Sequence, residues 1–182
     1  MRTTTKKYSP SVNIIRDLDS SFEYVSTRNG EQSFSTIINN IKGGQRSYIV
    51  IGAYGTGKSS FLLALEQTLS KKVSHFHDSN RQIKQLPKFE FLNIVGEFSS
   101  LIEVFQHVLS IGKRTSPNDI ISELEKKRNS FAKKGLGFGI IIDEFGKFLE
   151  HAAKKSPESE LYFIQQLAEW INNPDNDCLF IT

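Results

Sequence analysis

The stretch "GAYGTGKSS", from Gly52 to Ser60, constrains the chain more than any other. Gly52, Gly57, Lys58 and Ser59 stand at the spacing G-x-x-x-x-G-K-[ST]. Before them runs "SYIVIG", a short β-branched and aromatic segment that reads as a strand. After them, "KSSFLLALEQTLSKK" puts Phe61, Leu62, Leu65 and Leu69 on one helical face, with lysines at the helix's negative end. Strand, glycine-rich turn and helix, in that order, suit a cradle for phosphate. The glycines let backbone N–H groups turn inward, the helix N-terminus adds the positive end of its dipole, and Lys58 reaches the β and γ phosphates. The Ser59 hydroxyl is a ligand for Mg²⁺. Gly52, Ala53, Tyr54, Gly55, Thr56, Gly57, Lys58, Ser59 and Ser60 are therefore the candidate nucleotide-binding residues, and Ser60 also suits an ordinary first helical turn. The plain alternative, a flexible glycine-rich connection with an exposed lysine, does not account for the flanking periodicities.

The rest of the chain alternates in the same way. "FSTIINNIKGG" spaces Phe34, Ile37, Ile38 and Ile41 helically and stops at Gly43 and Gly44, and "FEFLNIVG" reads as a second strand. Ser100 and Glu103 have capping-box spacing before "LIEVFQHVLSIG". Ser116, Pro117 and Asp119 announce a helix with Ile120, Leu124 and Phe131 on its apolar side, closed by Gly135. "FGIIIDEFG" is a continuous apolar run, expected of a strand covered on both faces. A last helix, capped by Ser156 and Pro157, is expected to bury Leu161, Ile164, Ala168 and Ile171 and to stop near Pro174, followed by the strand "CLFIT". The fold class that follows is α/β, a three-layer sandwich with a mainly parallel sheet flanked by helices.

Composition removes several classes. At 182 residues, 38% hydrophobic and 24% charged, the chain has the balance of one soluble globular unit. No apolar run approaches the roughly 20 residues that span a bilayer, and "MRTTTKKYSP" lacks the apolar centre of a secretory signal, so a cytoplasmic location without membrane association is expected. Cys178 is the single cysteine, which excludes an internal disulfide and suits a buried apolar role. The formal charge is +3, with lysines scattered among acids as in "SELEKKRNSFAKKG", so nucleic-acid binding is permitted but not indicated.

A nucleotide carrying Mg²⁺ needs a carboxylate on a neighbouring strand, and Asp143, at the end of "GIIID", is the candidate metal ligand together with Ser59. Taken alone, two acids after an apolar run are often just the polar end of a strand, a reading that the phosphate loop upstream disfavours. Residues Asp143 to Gly146 also spell D-x-x-G, the metal and γ-phosphate motif of switch GTPases. Against that rival, two helical segments precede Asp143 where a β-hairpin is usual, and no [NT]-K-x-D motif occurs. A small-molecule kinase shares the phosphate loop, but no acceptor site or arginine-rich lid is recognisable.

"GAYGTGKSS" together with "IIIDEFGKFLE" resembles the ATPase core of the AAA+ and STAND group, within the additional-strand branch of phosphate-loop NTPases. The likeness is greatest to origin-recognition-like and prokaryotic defence-associated ATPases, and it covers the chain from about Ser47 onward. The resemblance implies ATP and Mg²⁺ as cofactors, and hydrolysis coupled to assembly or remodelling of a partner. It implies Glu144 as the catalytic base that orients and deprotonates water, with Lys58 completing the catalytic pair. It implies that "CLFIT" inserts between the phosphate-loop strand and the acidic strand, which would make Thr182 a candidate sensor of the γ-phosphate. On this reading residues 1–45 are an N-terminal arm and lead-in helix, and residues 46–182 are a core truncated after its fourth strand. A fifth strand, a helical lid and an arginine finger are then expected beyond Thr182, as is pairing or homo-oligomerisation through that part. A nucleotide-dependent scaffold that binds without appreciable hydrolysis is the alternative from a different class.

Four further features are weaker. Tyr24 or Val25 could touch an adenine base, although packing of the arm explains them as well. His75 and His77 lack a third ligand nearby and read as a polar loop. "GLGFG" from Gly135 precedes a strand and reads as a turn rather than a dinucleotide fingerprint. Lys147 and Glu150 read as a solvated helical face.

Overall fold

The computed structural model describes residues 11–20, 22–77, 79–112, 115–155, 157–173, 175–176 and 178–182. The expected caps at Ser156 and stop at Pro174, and the first ten residues of the arm, lie outside these.

The elements run α1 (Arg28–Lys42), β1 (Ser47–Tyr48), α2 (Lys58–Leu69), α3 (Asn80–Ile83), β2 (Phe89–Val95), α4 (Leu101–Val108), α5 (Pro117–Ala132), β3 (Gly137–Asp143), α6 (Gly146–Lys155), α7 (Pro157–Asn172) and β4 (Cys178–Ile181). The four strands form one parallel sheet in the order β1-β4-β3-β2. The last strand in sequence therefore lies between the first and third, as the resemblance implied.

Helices cover both faces of the sheet. On one side α1 and α2 pack with Ile14 of the N-terminal arm against Ile141, Leu179 and Ile181. On the other, Leu101 and Phe105 of α4, Ile120 and Leu124 of α5, and Phe163, Leu167 and Ile171 of α7 pack against Phe138, Ile140 and Ile142. Neighbouring residues of β3 thus point into opposite cores, which explains why all seven of its residues are buried.

Local chemistry sets the helix ends. Thr27 accepts a hydrogen bond from Gly30 N at the start of α1, and Phe34, Ile37, Ile38 and Ile41 face the core as their spacing predicts. Ser116 and Asp119 form the expected reciprocal capping box of α5. At α4 only half of the expected box forms. Ser100 Oγ accepts from Glu103 N, but the hydroxyl donates to Glu160 of α7, and Glu160 Oε2 also accepts from Leu101 N at 3.1 Å. A buried carboxylate from another helix thus satisfies a donor that α4 cannot satisfy itself.

Several expectations are corrected. The segment after Tyr48 leaves the strand early, although Val50 N still donates to Thr182 O at 2.6 Å. In "GLGFG" only Gly135 is turn, because Gly137 to Gly139 belong to β3 and Leu136 leads into it. A Cβ at 139 would lie 2.2 Å from the Phe91 ring, and one at 137 would lie 2.7 Å from the Phe89 ring. These glycines make room for aromatic side chains of the neighbouring strand. In α7 the buried stripe is Glu160, Phe163, Leu167, Trp170 and Ile171, while Leu161 is 54% exposed and Ile164 and Ala168 are half-buried. Helix α2 is buried from Phe61 through Leu69 on every side, polar residues included, rather than along one stripe. A helix α6 also intervenes between the acidic pair and α7. No helix among the described residues is long and apolar enough to cross a membrane.

Candidate active site

The parallel arrangement puts the two sequence motifs at one rim of the sheet. Tyr48, Ile181 and Ile141 are at the same level in β1, β4 and β3. The phosphate loop leaves β1 just beyond that level, Asp143 stands two residues above it, and Thr182 one. With strands about 4.8 Å apart, β1 and β3 are separated by about 10 Å across β4. That is a span a triphosphate with its metal can bridge.

The loop from Gly52 to Gly57 is exposed, and Gly55 and Gly57 have φ of +77° and +85°. Gly57 stands at the N-cap of α2, so the first turn presents backbone donors that no side chain caps. Lys58 Nζ donates to Gly52 O at 2.9 Å and Ala53 O at 3.0 Å, which curls the ammonium onto its own loop. Thr56 Oγ1 donates to Ala53 O at 2.8 Å. Tyr54, at the tip, is fully exposed, and Ser59 and Ser60 are half-buried in the first turn of α2.

Across the rim Asp143 is 5% exposed, and its Oδ1 accepts from Glu144 N at 3.0 Å. Glu144 has φ of +57°, left-handed for a residue with a side chain. Its backbone is held there by close packing. Gly96 N, just past β2, donates to Asp143 O at 2.7 Å, and a Cβ at 96 would lie 2.2 Å from Glu144 O. Only glycine admits that approach. The Glu144 carboxylate is half-exposed and pairs with the Lys147 ammonium one turn along α6. That hydrogen bond, then the charge of Glu144, raises the pKa of Lys147, and Asp143 and Tyr54 contribute in the same direction. Lys147 is exposed, in keeping with the solvated helical face expected there, and its i, i+3 spacing from Glu144 allows the pairing.

The remaining candidates separate. Thr182 continues β4 beside β1, donating to Tyr48 O at 3.0 Å. Tyr24 packs against Phe22, His75 and Phe76, while Val25 is 79% exposed. His75 is not a loop residue in solvent. It is 8% exposed with Nε2 2.7 Å from Gln67 Oε1, and burial lowers its pKa. His77 is exposed, and no group of His, Cys, Asp and Glu among the described residues could hold a metal ion by itself. The D-x-x-G alternative meets a β3 that pairs parallel to β2 after α4 and α5, where that motif calls for a hairpin.

No protein-family model matches the sequence, and no curated protein matches it. Solved structures do. The chain superposes on Drosophila ORC bound to DNA with a TM-score of 0.56 at 20% identity, covering 100% of this chain and 46% of that one. It superposes on the Aeropyrum pernix ORC2 protein in its ADPNP-ADP complexes with a TM-score of 0.54 at 17% identity, covering 91% of this chain and 44% of that one. At these identities the likeness establishes a shared fold, and the chain spans less than half the length of either neighbour.

Proposed function

We propose that this chain is the ATP-binding and ATP-hydrolysing core of an AAA+/STAND-type ATPase. The observation that carries the reading is the strand order β1-β4-β3-β2, which brings the phosphate loop and Asp143 to one rim with a single strand between them. A fold shared with a protein solved in ADPNP-ADP complexes supports it.

On this reading the amides of residues 52–59 and the Lys58 ammonium hold the phosphates, for which Lys58 must leave the carbonyls of Gly52 and Ala53. The Ser59 hydroxyl and the Asp143 carboxylate would hold Mg²⁺, which would supply charge neutralisation at the phosphates. Glu144 accepts a proton from the water whose oxygen bonds to the γ-phosphorus as the bond to the β–γ bridging oxygen breaks and ADP leaves. Lys58 and Glu144 are thus the catalytic residues, and hydrolysis is coupled to assembly or remodelling of a partner, as the family resemblance implies.

The test is a pair of variants in the full-length protein. Glu144→Gln keeps Mg-ATP affinity and loses turnover, whereas Lys58→Ala weakens binding itself. Retained turnover in the glutamine variant removes Glu144 from this role, and preference for GTP in competition binding overturns the choice of nucleotide.

A further inference from the structure

β2 is an edge strand of the sheet. Gly137 N donates to Lys88 O at 2.9 Å and Gly96 N to Asp143 O at 2.7 Å, one bond at each end of the β2–β3 ladder. In a parallel ladder alternate residues bond to the same neighbour, so these two bonds commit the even-numbered residues from Lys88 to Gly96 to β3. The N–H and C=O groups of Phe89, Phe91, Asn93 and Val95 therefore point away from the sheet, and among the described residues none of them has a partner. Nothing blunts this edge. The register runs from Phe89 to Val95 without a bulge, and the strand holds no proline. Every residue of β3 is buried, whereas Phe91 and Val95 on one face of β2 and Leu92 on the other are only half-buried.

The N-terminal end of the same strand is basic. Lys84 and Lys88 precede β2, and Lys133 and Lys134 precede β3 beside it. Lys42 and Lys71 reach in from α1 and from the end of α2, donating to Gln85 Oε1 and, at 3.1 Å, to Leu86 O. Those acceptors are neutral. Among the described residues the one carboxylate paired with this group is Glu90, 2.8 Å from Lys88 Nζ. Six exposed ammoniums thus stand against one carboxylate, in a chain whose formal charge is only +3.

We infer that the outer edge of β2 and its lysine rim dock an extended acidic peptide of another protein, which adds a strand to the sheet antiparallel to β2. Backbone pairing along Phe89–Val95 supplies the affinity, and the apolar surface of Phe91, Leu92 and Val95 receives side chains on both faces of the added strand. Antiparallel pairing is the more stable per residue, and it brings the peptide's C-terminal end to Lys88. The acidic residues therefore follow the paired stretch. A nucleic acid would satisfy the lysines but not the alternating N–H and C=O groups. A second copy of β2 would bring Gly96 and Glu97 to the rim, one carboxylate for six ammoniums. The rim lies at the end of the sheet opposite the phosphate loop, so the inference stands apart from the nucleotide reading.

The experiment titrates the full-length protein into a labelled synthetic peptide of alternating valine and threonine closed by a run of glutamates, read by fluorescence anisotropy. This peptide binds about tenfold more tightly than one closed by lysines, and the triple variant Lys84→Glu, Lys88→Glu, Lys133→Glu, at exposed positions, removes that preference. N-methylation of one alternate set of the peptide's backbone nitrogens abolishes binding and of the other set does not, because only one set faces β2. Bound peptide slows amide exchange at Phe91, Asn93 and Val95. Equal binding of the two peptides, binding indifferent to N-methylation of either set, or no binding overturns the inference. So does tighter binding of a labelled oligonucleotide that the triple variant loses, which would make the rim a nucleic-acid site. Protection of the same amides by self-association without peptide would make a second copy the occupant and overturn it too.

Discussion

Replacing Glu66 with glutamine isolates a proton that the fold is built to keep. Glu66 lies in the C-terminal half of α2, 3% exposed, and accepts a 2.7 Å hydrogen bond from Asn93 Nδ2 of β2. Asn93 Oδ1 is buried and has no hydrogen-bond partner among the described residues. A protonated Glu66, or a glutamine, carries the donor that this oxygen lacks. Desolvation is the main cause that raises the Glu66 pKa from 4.5 to about 7, opposed by the Asn93 hydrogen bond and by Lys72, and assisted by Asp19 and Glu90. The folded chain therefore holds a proton between pH 4.5 and about 7 that the unfolded chain has released. Stability falls as pH rises through that window and levels off above it, by about 3 kcal/mol at most. Glu66→Gln has no such proton to lose. Urea unfolding followed by circular dichroism at pH 5, 6, 7 and 8 gives the difference between variant and wild type, in which the other titrating groups cancel. The variant gains on wild type by up to about 3 kcal/mol from pH 5 to pH 8. A difference that stays constant across that range would refute the buried-proton argument.

Other perturbations test separate parts of the structure. Gly96→Ala forces a Cβ toward Glu144 O, and the backbone shift costs about 1–3 kcal/mol, lowering the melting temperature by roughly 2–10 °C. Gly112→Ala is the control, since a Cβ there meets nothing within 4 Å among the described residues; equal melting shifts would contradict the close-approach account. Glu160→Ala strips the buried N-terminus of α4 of its acceptor and costs about 1–3 kcal/mol, with faster amide exchange at Leu101. Glu160→Gln retains an acceptor oxygen and loses less; exchange at Leu101 unchanged in both variants would remove the cap.

The resemblance at Gly52–Ser60 and Asp143–Glu144 anticipated more of the topology than periodicity alone could. The insertion of "CLFIT" into the middle of the sheet is a property of strand pairing, invisible in local pattern, and the order β1-β4-β3-β2 agrees with it. Periodicity succeeded where one face alone is apolar, as in α1, and where a run is apolar on both, as in β3. It failed where burial and polarity diverge. In α7 the stripe through Phe163 and Leu167 contains Glu160, so the stripe through Leu161 looks cleaner, yet Ser100 and Leu101 of α4 satisfy that acid and the helix turns it inward. In α2, Glu66, Gln67 and Thr68 look like a solvent face, but they bond to Asn93, Leu18 O and Ala64 O, which come from β2, the N-terminal arm and the helix itself.

By itself, then, the sequence determined which segments could be helix or strand and which turn could receive an anion, because backbone propensity, capping and glycine geometry act over a few residues. Tertiary structure alone decided which helix faces were buried, why Gly96 admits no side chain, and that the ammonium of Lys147 meets the carboxylate of Glu144. Those outcomes depend on which atoms from distant segments arrive to fill space, hydrogen-bond a buried oxygen or balance a charge, and no local pattern carries that information.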